Sequence, residues 1–143
     1  MTRKLAGLVF INGTDDENWP FDNELVQRSF QVQAFLNVDQ PAVALQIPDV
    51  RWGGECRVEV RVTARALGRG EIQIEGNAKF FEGTSEDTQD LEDEKVVTFL
   101  VPRNTANNPA STNFNIQLNN AGFGGGDHAE ISFSLTNSLV EED

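Results

Sequence analysis

Residues 55–82 read ECRVEVRVTARALGRGEIQIEGNAKFFE, and apolar and polar side chains alternate through them almost without a break. In the first arm Cys56, Val58, Val60, Val62, Ala64 and Ala66 alternate with Glu55, Arg57, Glu59, Arg61, Thr63 and Arg65. In the second, Ile72, Ile74, Gly76, Ala78 and Phe80 alternate with Glu71, Gln73, Glu75, Asn77 and Lys79. A period of two belongs to a strand, whose successive side chains point to opposite faces of a sheet. The Gly68-Arg69-Gly70 step between the arms predicts a tight turn. With Gly70 in the left-handed position of a type I turn with a bulge, Leu67 pairs Glu71 and Ala66 pairs Ile72, so apolar meets apolar. The stretch is the expected central hairpin of an antiparallel sheet with one buried face.

The same reasoning extends in both directions. Strands are expected over about 4–12, 28–38, 42–47, 95–101, 114–118 and 129–135, and no helical period runs through ten residues. Residues 95–101 are apolar on both faces, as in a strand covered on both sides. At 143 residues the chain suits one domain over 1–143, with an acidic tail at about 138–143. Eight strands at this spacing predict an all-β, single-domain antiparallel β-sandwich. The long connections at 83–94 and 102–111 point to crossovers between sheets, hence a Greek-key or jelly-roll type.

If consecutive strands run up and down, the loops at 13–25, 49–54, 83–94 and 119–127 share one end and the turns near 39, 69 and 106 share the other. The first end then collects most of the loop carboxylates. Drawn from separate loops, they are the kind of oxygen set a calcium ion takes, with Asp15, Asp16, Asp87, Asp90, Glu92 and Asp93 the candidate ligands. Trp19, Trp52 and Phe123 fall at the same end, as aromatics for a ligand-contacting rim or as plugs on the core. The expected function is a non-catalytic binding module, calcium-assisted, recognising a glycan or a lipid. In outline this resembles C2-type domains and calcium-dependent lectin-like modules. The paired-aspartate D-x-D pattern of C2 loops is absent, Asp90-Leu91-Glu92 being the nearest approach. The alternative is a metal-free protein-interaction or assembly protein, which could be an oligomer, docking through a sheet face or edge.

Other functions fit less well. A net charge of −12 disfavours direct binding of nucleic acid or an anionic membrane. No transmembrane segment is visible, and a cytoplasmic location is the expectation. The single cysteine, Cys56, lies in the buried register, where it serves as a small apolar group. Arg57, Arg61 and Arg65 could face an anionic partner, but the glutamates interleaved and opposite explain the stripe as mutual pairing. His128, Glu130 and Ser132 share one strand face, which does not give the geometry of a hydrolase triad. The glycine-rich 119–127 loop joins two strands and lacks the helix that phosphate-binding glycine loops lead into. A glycosidase carboxylate pair would need a way to raise one pKa that the pattern does not reveal.

Overall fold

The computed structural model describes residues 1–15, 24–105, 111–120 and 126–140. Nine strands appear among them: β1 (Thr2–Asp15), β2 (Glu24–Asn37), β3 (Val43–Ala44), β4 (Val50–Trp52), β5 (Cys56–Ala66), β6 (Ile72–Glu82), β7 (Leu91–Val101), β8 (Thr112–Asn119) and β9 (His128–Leu139). They form two antiparallel sheets. One has the order β2-β1-β9-β8; the other runs β3-β5-β6-β7, with β4 also pairing β5. None of the described residues forms a helix long and apolar enough to cross a membrane.

The central hairpin is β5–β6. Its register pairs Cys56 with Glu82, Val58 with Phe80 and Ala66 with Ile72. Leu67 N donates to Glu71 O at 2.8 Å, Gly70 N donates to Leu67 O at 2.9 Å, and Gly70 has φ of +90°, the bulged turn its sequence implies. The buried face carries Val58, Val60, Val62, Ala64, Ile72, Ile74, Ala78 and Phe80, all at most 3% exposed. Opposite them the other sheet supplies Leu5, Val9, Ile11, Ile131, Phe133 and Leu135, each fully buried. Phe99, Phe114 and Phe133 close one flank, with ring centroids 4.5 Å apart for the first pair and 5.4 Å for Phe99–Phe133.

Four elements differ from the sequence reading. Residues 95–101, expected to be covered on both sides, lie in β7 at the edge of its sheet, with Val96 71% and Leu100 44% exposed on the outer face. The strand expected over 42–47 shortens to Val43–Ala44 because Pro41 and Pro48 cannot donate to a ladder; Leu45 and Ile47 are nonetheless buried. Val50–Trp52, expected as loop, forms β4 beside the start of β5. Leu91 already pairs Phe81, so the last third of the acidic 83–94 stretch is strand, and the remaining connection joins β6 to β7 within one sheet. The 102–111 connection does cross between sheets. Apart from β3 beside β5, neighbours within each sheet follow the sequence, and the pairing of β1 with β9 joins the two ends of the chain.

The expected division of the loops holds among the described residues. Gly83 N bonds Glu55 O, Arg57 Nη1 bonds Glu86 O, Asn120 Nδ2 bonds Glu82 Oε2 and Asn120 N bonds Asp127 O, which gathers the 52–56 and 82–86 segments with Asn120 and Asp127 at one end. Asn137 Nδ2 donates to Gly70 O and Val101 O at the other.

Candidate metal centre

The polar groups of the acidic end are arranged by a simple rule. At this end the inner registers of β1, β6 and β9 run past their apolar residues to an acid. After Val9 and Ile11 the inward positions of β1 are Gly13 and Asp15; after Phe80 in β6 comes Glu82; ahead of Ala129 at the start of β9 comes Asp127. Cys56 opens β5 on the same face, directly opposite Glu82. One ligand atom from each of Asp15, Cys56, Glu82 and Asp127 lies within 4.8 Å of all the others. Asp15 is 3% exposed, Asp127 8% and Cys56 not at all, so this is a cluster set into the end of the core.

Neighbouring backbone and rings shape it. Gly53, with φ of +66°, lies against the Asp15 carboxylate, and a Cβ there would collide with Oδ2. Trp52 stacks on Phe80 with centroids 5.8 Å apart, and its indole covers Gly13, whose missing side chain makes the room. The Trp52 Nε1 proton, buried, has no hydrogen-bond partner among the described residues.

Crowding carboxyls away from water favours their neutral forms. Burial, then a hydrogen bond with Asp127, push Glu82 up to about 8; the amide of Asn120, donating to Glu82 Oε2 at 2.6 Å, opposes them in part. Burial, and after it the neighbouring carboxylates with Asp15 foremost, raise the Cys56 thiol well above its usual range. A thiol so placed is no nucleophile. A divalent cation would invert both effects by stabilising the anions.

Of the ligands expected from sequence, Asp15 alone stands in this cluster, and Asp16 lies outside the described residues. Asp87 is 87% exposed and 3.5 Å from Arg51 Nε. Asp90 is exposed in the hairpin connection, where its backbone N bonds Thr88 Oγ1. Glu92 and Asp93 belong to β7, and Asp93 accepts bonds from the backbone N of Glu94 and of Asn119. The structure does not bring these four to Asp15. For the rim, Trp52 is 5% exposed and packs as a core plug, which removes it as a ligand contact; Trp19 and Phe123 lie outside the described residues. Glu82, read as the end of the hairpin, and Asp127, read with the 119–127 loop, are not among the ligands expected from sequence, although their parity with Phe80 and Ala129 points inward.

The remaining candidates are accounted for by structure. Arg57, 3% exposed on the outer face, bonds Glu59 at 2.9 Å and lies 4.3 Å from the Phe81 ring centroid; Arg61 pairs Asp49 at 2.7 Å. His128 Nδ1 is 2.9 Å from Gly126 O. No protein-family model, curated protein or solved structure gives a significant match to this chain.

Proposed function

We propose that the chain is a non-catalytic binding module that takes a divalent cation at Asp15, Glu82 and Asp127 and recognises its ligand with the loops of that end. The convergence of three carboxyls, from the ends of β1 and β6 and from the residue just ahead of β9, into a largely buried cluster carries this reading. Without a cation the cluster must hold a proton near neutral pH, as Glu82 does; with one, the carboxylates become the favoured form. Their oxygens suit calcium, which completes its shell with water and backbone carbonyls and leaves the Cys56 thiol protonated beside it. A softer ion such as zinc would instead recruit the thiolate. Aromatic contact with a glycan or a lipid headgroup then falls to Trp19 and Phe123, in the loops that follow Asp15 and precede Asp127 in sequence.

The test is the thermal midpoint of chelator-stripped protein with calcium, magnesium or zinc added. At a hundredfold excess over Kd, binding adds about 2.7 kcal/mol, roughly 5 to 10 °C for a domain of this size. A rise specific to one ion, abolished in Glu82→Gln and Asp127→Asn, supports the site. Equal responses to all three, or none, sink it.

A second reading, a protein-docking or assembly role without metal, draws on the outer face of β7, where Val96 is 71% and Leu100 44% exposed. A concentration-dependent dimer that Val96→Asp disperses, together with no ion response, would favour it.

A further inference from the structure

The end opposite the acidic cluster is basic, in a chain with 23 acidic residues against 11 basic ones. The inner register again runs one step past the apolar core: Leu5 is preceded by Arg3, Leu135 is followed by Asn137, and Val101 by Arg103. Arg3 is 5% exposed. Its Nε donates to Asn137 Oδ1 at 2.8 Å and its Nη2 to Asn137 O at 3.3 Å. Asn137 is itself fixed, donating to Gly70 O at 2.7 Å and Val101 O at 3.0 Å and accepting at its backbone O from Asn104 N at 2.7 Å. Among the described residues the guanidinium is therefore held in place by neutral groups.

Arg3 lines a cavity of about 460 Å³ with Arg69, Arg103, Gly70, Val38 and Met1. None of the ion pairs among the described residues engages Arg3, Arg69 or Arg103, whereas Arg51, Arg57 and Arg61 on the outer face of the sandwich each find a carboxylate. A buried guanidinium that meets no carboxylate among the described residues is costly to keep. Burial, and then the charge of Arg103, lower the pKa of Arg3, as expected of cations gathered without an anion.

We propose that this cavity binds the phosphate group of a small soluble molecule. Three guanidinium forks suit a tetrahedral oxyanion, which takes parallel N–H···O bonds from each. The cavity has the size of small-molecule sites, roughly 300 to 1,000 Å³, and Val38 and Met1 offer an apolar wall for the rest of the ligand. The net charge of −12 repels an anionic membrane, which argues for a free molecule over a lipid surface.

The test is a titration of the full chain with inorganic phosphate, followed by backbone amide NMR at constant ionic strength, with chloride as the control. The expected result is saturable shifts centred on residues 68–70 and 103, with affinity falling at least about tenfold when either exposed arginine is removed in Arg69→Ser or Arg103→Ser. Both variants should keep the wild-type thermal midpoint, since neither side chain is buried. Arg3→Gln, which keeps a donor toward Asn137, should lose binding as well. Absence of saturable shifts, equal shifts with chloride, or affinity unchanged in both exposed variants would overturn the site. Val140 N bonds Thr2 O, which brings the C-terminal end of β9 beside the strand that carries Arg3. Binding seen only in a chain shortened to residues 1–140 would likewise overturn it, because the acidic residues 141–143 would then be the occupant.

Discussion

Glu82 ties the stability of this fold to pH. Its folded pKa, pushed up to about 8 from an ordinary 4.5, means that the folded chain holds the proton more tightly than the unfolded one. The resulting stabilisation is complete below about pH 4.5 and declines as pH rises toward about 8, where it levels off. In metal-free protein the thermal midpoint should therefore fall across this window, and the fall should be smaller in Glu82→Gln, whose amide has no proton to lose. A midpoint profile identical in the two proteins would contradict the shift. Cation binding should reverse the slope, because the metal and the proton compete for the same oxygens. At Trp52 the argument is packing: Trp52→Ala removes the stack on Phe80 and opens a cavity over Gly13, a loss of about 3 to 5 kcal/mol measurable by denaturant unfolding. Trp52→Phe should cost less, since it retains a ring and discards an indole proton that has no partner among the described residues.

Among the elements, the β5–β6 hairpin was fully legible and its turn makes a sharp prediction. A Cβ at Gly70 meets only Arg103, at 3.5 Å and beyond, so Gly70→Ala has room; its cost, about 1 to 2 kcal/mol, comes from holding φ at +90°. The edges of the two sheets were not legible, because no pattern within one strand reveals its neighbour in the other sheet. Lys95 and Asp93 of β7 point in the inward register, yet their side chains reach across the flank: Lys95 Nζ donates to Gln117 O at 2.6 Å and Asp93 Oδ2 accepts from Asn119 N at 3.0 Å. They occupy backbone groups on the free edge of β8, a common means of keeping an edge from pairing with another chain. The double variant Lys95→Met, Asp93→Ala should therefore self-associate at concentrations where the natural chain does not, as read by light scattering.

For the whole molecule, the two ends carry opposite charge and are separated by the length of strands such as β5 and β6, roughly 35 Å for 11 residues. At that distance their ligands should act independently: the rise in midpoint from a cation and that from phosphate should add within about 0.5 kcal/mol when both are present. Coupling beyond that would mean that the core transmits between them. Alternation along each strand was enough to determine the fold class, the central register, the bulged turn and the assignment of loops to ends, because the period of two is imposed by the backbone itself. Asp15 could be placed at the acidic end from the sequence, but the residues it clusters with could not. Glu82 faces inward because β6 persists beyond Phe80, Asp127 meets it from just ahead of β9, and Asp93 is drawn off to the β8 edge by a neighbour distant in sequence. Tertiary structure alone decided where each inner register stops and which strand ends converge. Those distances between residues far apart in the chain turn scattered acids into one cluster and scattered arginines into one cavity.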